Sequence, residues 1–418
     1  MTTVQISPYE LWSDCPGTLF NKPEWEAANA AHATGTNFGD VPEGWPKIIE
    51  GPYVWNGKDL EAHPEKFIRV LSQAEIEEVD AALKVFLELS LPMSKVTRTT
   101  FPLPVLGPSL RKISQNIYNG TGVNLLRGFP IQKYNKEHQV IIFLGLNSWI
   151  GDQRLSQGTG RGLVHIKSIV HIDPSQRSKV FVSAQNTDPQ MYHSDAGSEI
   201  VGLMALSLPE SGGESMVSSI AQVYNHLAEH RPDILRLLAE KRFRWRGVGI
   251  PDKGVKLIHW FANQFYLNFS TRTFIGYAEV PDRDPDYPPL TFEEREAFGG
   301  FQWIAEQYSL TTNLQIGDIE WVNNLHHQHA RRGYTETLEN PRHLLRVWLR
   351  DSEFTGELPE DIKNRLDAMH AQPPDFYPLD EMEEDERRRN TGIFTAACRD
   401  ETAAERLRKG EATGAKGL

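Results

Sequence analysis

Two segments of the chain carry side chains that could hold a metal ion. The first, MYHSDAGSEI at 191–200, places His193 and Asp195 two residues apart. Because side chains at positions i and i+2 of a strand point to the same face, both could bind one ion from one strand end. A histidine and a carboxylate this close more often form a surface or hydrogen-bonded pair. A metal site therefore needs a third ligand from elsewhere in the chain.

The third ligand could come from a histidine-rich segment late in the chain. The sequence EWVNNLHHQHARRGY carries His326, His327 and His329 just after a predicted strand. Two histidines and one carboxylate on one side of a non-haem Fe(II) leave open positions that can take an oxoacid and oxygen. At most one of these histidines is needed. The pattern leaves open which one it is, and whether His326 or His327 contributes to a pocket.

The segment NPRHLLRVWLR adds two guanidinium groups. If 342–350 is a strand, Arg342 and Arg346 lie on one face, and the other face is mostly apolar and packs into a core. A buried arginine needs an anionic partner, and its planar fork matches a carboxylate with two hydrogen bonds. The pair therefore indicates an oxoacid or an anionic substrate. The alternative for Arg342 is an internal ion pair to Asp or Glu, or an exposed strand face.

The elements around these segments predict a β core with helices outside it. Capping boxes at Ser72 with Glu75 and at Thr291 with Glu294 each open a helix. A helical run in the middle of the chain is broken at Pro232. LIHWFANQFYLNF predicts a hairpin. Strand-like runs are NGTGVNLLRGFP, KVFVSA, EIVGLMAL, IGDIEWVNN and HLLRVWLR.

Composition restricts the class of protein. The chain has 418 residues and a formal net charge of -12, which argues against nucleic-acid binding and against a polybasic membrane anchor. We find no apolar run long enough to cross a bilayer. Two cysteines, near opposite ends, fit a reducing compartment, so we expect a cytoplasmic protein. The exterior permits a homo-oligomer.

Four segments in this order, MYHSDAG, SGGESMVSS, GDIEWVNNLHHQHARRGY and ENPRHLLRVWL, resemble those of the TauD/TfdA-like Fe(II)- and 2-oxoglutarate-dependent dioxygenases. NLLRGFP resembles the early strand of that family. The resemblance implies a mainly β fold, a double-stranded β-helix (jelly roll, cupin-like) core with flanking helices. The long N-terminal lead and the charged C-terminal extension resemble fungal members, among which tailoring of secondary metabolites is common.

The resemblance also implies an iron site. His193 and Asp195 correspond to the first two iron ligands. His329, in the sequence His-Ala-Arg, corresponds to the third. The implied cofactor is Fe(II), and the implied cosubstrates are 2-oxoglutarate and O2. Related halogenases replace the carboxylate with a small residue, so Asp195 favours hydroxylation or another outcome of C–H oxidation.

Further residues correspond to contacts of the organic ligands. Arg342 matches the arginine that binds the distal carboxylate of 2-oxoglutarate, and Ser215 matches a hydroxyl that helps hold it. Arg346 matches a second anion contact, to the cosubstrate or to the substrate. Tyr192, beside the first ligand, is a further candidate for the substrate pocket. The expected substrate is a small molecule, favoured to be anionic.

The expected function is oxidation of a C–H bond of a small organic acid, amino acid or secondary metabolite, with release of succinate and CO2. Hydroxylation, desaturation and ring closure all fit. The alternatives are a non-catalytic jelly-roll protein that binds a metal, and a metal-dependent hydrolase or isomerase. The predicted division is a lead-in at 1–65, a catalytic domain at 66–355 with helical insertions, and a charged extension at 356–418 that frays at its end.

Overall fold

A computed structural model describes residues 22–33, 37–157, 160–173, 175–176, 183–245, 249–275, 288–371 and 373–391. Its α-helices are α1 (Lys22–Ala33), α2 (Gly57–Glu61), α3 (Gln73–Glu88), α4 (Gly107–Asn119), α5 (Lys136–Ile150), α6 (Ile220–His230), α7 (Pro232–Glu240), α8 (Arg272–Ile275), α9 (Phe292–Gln307), α10 (Glu360–Met369) and α11 (Glu381–Thr391). Its strands are β1 (Ile68–Val70), β2 (Val123–Arg127), β3 (Gln153–Leu155), β4 (Val164–Lys167), β5 (Gln190–His193), β6 (Ile200–Ser207), β7 (Ser211–Gly212), β8 (Ser215–Ser219), β9 (Ile258–Phe261), β10 (Gln264–Leu267), β11 (Leu310–Thr311), β12 (Ile319–Asn323), β13 (His327–Arg331), β14 (Tyr334–Thr335) and β15 (His343–Arg350).

Two sheets form the core. The larger has the strand order β1-β2-β12-β6-β15-β3, with β4 also paired to β15, and the smaller has the order β11-β8-β13-β5. Val217 of β8 packs in one cluster with Val123 of β2 and Val322 of β12, so the two sheets face each other. All these pairings are antiparallel except that of β1 with β2. The predicted double-stranded β-helix with flanking helices is confirmed.

Helices cover the outer face of each sheet. Side chains of α4 and α5 share a core with Leu345 and Val347 of β15, as the apolar face of that strand predicted. On the other side, α6, α7 and α9 share a core with Tyr192 of β5 and Ala330 of β13. Tyr192 and Ala330 pack outward against these helices. Because side chains alternate along a strand, the adjacent residues His193 and His329 face the space between the two sheets.

Local signals in the sequence predicted several element boundaries. Both capping boxes are present at the first turns of α3 and α9. The hairpin of β9 and β10 turns through Ala262 and Asn263, whose φ angles of 49° and 58° fit the two positive values of a type I′ turn. α6 ends and α7 begins at Arg231 and Pro232. Most of the predicted strand KVFVSA lies outside the described residues.

The segment after β15 packs on the core. Ile362 and Leu366 of α10 form a buried cluster with Tyr266 and Leu325. Phe376 makes a β-bridge with Arg161. The predicted division into lead-in, catalytic domain and extension stays a prediction. Among the described residues, no helix combines the length and the apolar character needed to cross a membrane.

Candidate metal centre

The pairing of β5 with β13 brings together three of the predicted residues. His193, the last residue of β5, is the register partner of His329 in β13. Asp195 follows two residues after the end of β5. Asp195 Oδ1 lies 3.7 Å from His193 Nε2 and 3.9 Å from His329 Nε2. One ligand atom from each residue lies within 4.8 Å of the others. A single ion can therefore contact all three.

The two imidazoles offer lone pairs toward this point. His193 Nδ1 lies 2.8 Å from the Met191 carbonyl, which can only accept, so Nδ1 carries the hydrogen and Nε2 presents its lone pair. In this structure the Gln190 amide nitrogen lies 3.1 Å from that Nε2. Burial and the neighbouring His193 lower the pKa of His329 to about 3, so its ring is neutral. Neutral imidazoles and a carboxylate are the donor set that Fe(II) takes in a facial triad.

The other two histidines of the late segment lie elsewhere. His326 Nδ1 bonds to the Phe265 carbonyl at 2.8 Å, and its ring stacks on Tyr53. His327 stacks on Trp55. Neither belongs to the cluster around Asp195 within the described residues. Of the three histidines, the structure brings only His329 to the candidate centre.

Asp195 is fixed by contacts that leave one oxygen for a metal. Its Oδ2 accepts hydrogen bonds from Trp348 Nε1 at 2.8 Å and Arg346 Nη1 at 3.0 Å, while Oδ1 faces the histidines. Burial alone would raise the pKa of Asp195, but Arg346 and the two imidazoles outweigh burial and lower it. The Asn324 side chain accepts from the Asp195 N–H at 2.8 Å and donates to the Asp195 carbonyl at 2.7 Å. The carboxylate is therefore ionised and oriented.

Arg346 is itself positioned. Its Nε donates to Gln157 Oε1 at 2.8 Å, and the Gln157 amide donates to the Arg346 carbonyl at 2.9 Å. In this structure, the guanidinium that was predicted to bind a second anion donates from Nε to Gln157 and from Nη1 to Asp195. Its first role here is to orient a candidate metal ligand.

Arg342 has the properties of an anion anchor. It is 4% exposed, and among the described residues its Nε and Nη1 have no hydrogen-bond partner. Its guanidinium lies 5.5 Å from the ring centre of Tyr334, whose buried hydroxyl also has no partner within the described part of the chain. Burial, and then Arg331, lower the pKa of Arg342 to about 9. A buried cation with unused donors fits a carboxylate ligand.

The double glycine of SGGES makes room for this arginine. Gly213 has φ +76°, and a Cβ there would lie 3.0 Å from Arg342 Nε. Ser215, two residues on, donates to Glu320 Oε2 at 2.7 Å. The predicted serine therefore lies two residues from the glycine that approaches the buried arginine, but in this structure its hydroxyl donates to a protein carboxylate.

Comparison with known proteins identifies the family of the chain. The family described as taurine catabolism dioxygenase TauD, TfdA family matches residues 89–348. The chain belongs to the TauD/TfdA family. It is therefore an oxidoreductase, and the family's Fe(II), 2-oxoglutarate and O2 are its cofactor and cosubstrates.

Two curated relatives match about three quarters of the chain. The taurine hydroxylase-like protein SAT17 of Stachybotrys chartarum is 32% identical over 324 residues, which cover 75% of this chain and 83% of the relative. FR-33289 synthase of Streptomyces rubellomurinus is 25% identical over 338 residues, 78% of this chain and 96% of the relative. An asparagine oxygenase, solved with Fe(II), hydroxyasparagine and succinate, has a TM-score of 0.51 at 14% identity and covers 68% of this chain and 93% of its own. This likeness shows a shared fold.

Sequence reasoning missed several residues that support the candidate site, and it proposed one residue that the structure places elsewhere. Trp348 shares a strand face with Arg346, so the alternation that selected Arg346 could also have found it. Gln157 and Asn324 gave no signal, because their partners lie far away in the chain. Tyr192 is not at the site: it is 1% exposed, and its hydroxyl donates to Glu306 in the helical core at 3.0 Å. The alternation of β5 that points His193 inward points Tyr192 outward.

Proposed function

We propose that this TauD/TfdA enzyme oxidises a C–H bond of a small organic molecule at an iron held by His193, Asp195 and His329. The observation that carries the proposal is the convergence of these three donors around Asp195 Oδ1, with Oδ2 held by two protein donors. When bound, Fe(II) would supply oxygen chemistry that converts 2-oxoglutarate to succinate and CO2 and removes hydrogen from the substrate.

The protein's own residues would bind and orient the reactants. Arg342 would take the distal carboxylate of 2-oxoglutarate, because its donors are buried and unused. The ring of Tyr334 lies 5.5 Å from the same guanidinium, and its hydroxyl, which has no partner among the described residues, would be a further donor. Ser215 would contribute only if its hydroxyl turns away from Glu320, so we expect a smaller effect from its loss than from loss of Arg342.

We infer an acidic or amino-acid substrate, or a secondary metabolite that carries an acid group. Arg346 supports this, because it is a cation beside the candidate metal ligands and its side chain is 16% exposed. The name of the 32% identical relative refers to taurine, a sulfonate. Hydroxylation, desaturation and ring closure would all begin with the same hydrogen removal, and the substrate decides among them. A cytoplasmic location and self-association are further proposals, which cell fractionation and light scattering can check.

The test is stepwise. Anaerobic protein loaded with Fe(II) and 2-oxoglutarate should give a weak visible charge-transfer band. Admission of O2 with a panel of small acids, amino acids and aromatic metabolites should then release succinate with one or more of them. His329→Gln should lose the band. His326→Gln is the matched control, because it removes a neighbouring buried histidine outside the cluster, and should keep the band.

Three results would count against parts of the proposal. Folded, iron-loaded protein that gives neither the band nor succinate with any compound would contradict the oxygenase function. Turnover of a compound without O2 would favour the hydrolase or isomerase alternative. Loss of the band in His326→Gln with retention in His329→Gln would show that the third ligand is misassigned.

A further inference from the structure

A second group of metal-binding side chains lies where the larger sheet meets the C-terminal segment. His165 on β4, His343 on β15 and Glu381 on α11 offer one ligand atom each, and these atoms lie within 4.8 Å of one another. The two histidines lie on the outer side of the sheet, where the segment that follows β15 covers them. The proposed oxygenase chemistry uses none of the three.

Hydrogen bonds define which ring nitrogens face each other. His165 Nε2 lies 2.9 Å from the Pro378 carbonyl, which can only accept, so Nε2 carries the hydrogen and Nδ1 presents a lone pair. His343 Nε2 lies 2.7 Å from that Nδ1. A proton shared between them, or a metal ion, satisfies this arrangement. A ligand histidine that donates its other N–H to a carbonyl is the usual support of a metal site.

Glu381 supplies an unused oxygen. Its side chain is 12% exposed, and Oε1 accepts from Lys167 Nζ at 2.6 Å. Its Oε2 is buried and has no hydrogen-bond partner among the residues the structure describes. Nearby, Lys136 pairs with Asp380 at 2.7 Å, so that ion pair adds no net charge. The carboxylate can therefore keep Lys167 on one oxygen and give the other to a cation.

We propose that His165, His343 and Glu381 bind a divalent transition metal of the zinc class, with water completing a tetrahedral shell. Two imidazoles favour zinc over the hard cations calcium and magnesium. Bonds of about 2.0–2.1 Å in a tetrahedron separate two ligand nitrogens by roughly 3.3 Å, so the rings would move apart from 2.7 Å on binding. The ion would join β4, β15 and α11.

The consequence is structural. β15 also carries Arg346 and Trp348, which hold Asp195 of the candidate iron site. An ion at the second site would attach the C-terminal segment to this strand. Because it binds only the folded arrangement, it should raise the stability of the chain with increasing metal concentration.

The experiment uses Zn²⁺ alone and full-length protein stripped with a chelator. His193→Gln/His329→Gln is the background, since it removes two donors of the candidate iron site. Zinc binding is measured by competition with a chromophoric chelator, and thermal unfolding is followed with and without zinc. We expect one equivalent of zinc in the background and a rise in its Tm. Adding His165→Gln should abolish both effects, whereas adding His63→Gln, at a surface histidine, should change neither.

Glu381→Gln in the same background keeps the shape of the side chain and should weaken zinc binding at least tenfold, which guards against a His165 variant that does not fold. The background protein binding no zinc, or equal zinc binding with and without His165→Gln, would overturn the proposal. His165→Gln alone should retain the Fe(II)–2-oxoglutarate band, so failure of this site is distinguishable from failure of the oxygenase function.

Discussion

Arg342→Met is the most informative substitution, because it should change ligand binding and stability in opposite directions. Methionine matches arginine as far as Nε and fills the same apolar path, but it carries no charge and no donors. In the absence of an anion, Arg342 is a buried cation whose Nε and Nη1 have no partner among the described residues. Its replacement should relieve a cost in the free protein and remove the anchor of the bound cosubstrate.

The magnitudes follow from burial and from hydrogen bonding. Burial and Arg331 lower the pKa of Arg342 to about 9, which corresponds to a cost of roughly 5 kcal/mol for the charged form in the fold. After some loss of packing, we expect the free energy of unfolding to rise by about 1–3 kcal/mol. Two hydrogen bonds to a carboxylate contribute about 1.5–3 kcal/mol each, so 2-oxoglutarate binding should weaken by roughly 10²–10⁴-fold.

The assay is denaturant unfolding with and without 2-oxoglutarate, in the presence of Mn²⁺ or of anaerobic Fe²⁺. The original protein should gain about 2.7 kcal/mol when the ligand is at 100 times its Kd, and Arg342→Met should gain almost nothing at the same concentration. Arg350→Met is the matched control on the same strand. Arg350 already pairs with Glu199, so its loss should destabilise the protein and leave the ligand effect intact.

One result would refute this reasoning. If Arg342→Met is less stable than the original protein and still gains the full ligand effect, Arg342 serves an internal structural role and another group binds 2-oxoglutarate. Arg342→Lys separates charge from geometry. It should keep part of the binding, because a lysine supplies the charge without the planar fork.

Two further predictions concern the support of the site, and a third concerns the buried ion pairs of Asp351, the residue after β15. Trp348→Phe removes a donor to Asp195 Oδ2 and should weaken Fe²⁺ binding about tenfold in anaerobic titration; unchanged affinity would contradict the role of this bond. Asn324→Ala leaves the Asp195 N–H without its acceptor and should lower the free energy of unfolding in urea by about 2 kcal/mol. A change near zero would show that the segment around Asp195 does not depend on this hydrogen bond. Burial alone would raise the pKa of Asp351, but Arg111 and Arg98 outweigh burial and lower it. The ion pairs of Asp351 therefore stabilise the folded protein fully above the ordinary aspartate pKa. This stabilisation is lost as the pH falls through the lower pKa that Asp351 has in the folded protein. Asp351→Asn should therefore cost about 2 kcal/mol at neutral pH, and the difference should shrink below about pH 4; a constant difference in acid unfolding would refute the charge argument.

Local patterns in the sequence were enough to predict most helices and strands and to identify most candidate site residues. The alternation of side chains along 342–350 predicted β15 to within one residue of its start, and it placed Arg346 on the inner face of that strand. The capping boxes marked the starts of α3 and α9 because a cap depends on residues three positions apart. The motif around His329 selected it from three histidines through the family resemblance.

Tertiary structure alone decided how these residues meet. That β5 pairs with β13, so that His193 faces His329, depends on strand register between distant parts of the chain, which no local pattern specifies. Whether an arginine is paired depends on which carboxylate the fold brings to it. Arg346 donates to Asp195, while Nε and Nη1 of Arg342 have no hydrogen-bond partner among the described residues, and this difference turns one into a support and the other into a candidate binding group.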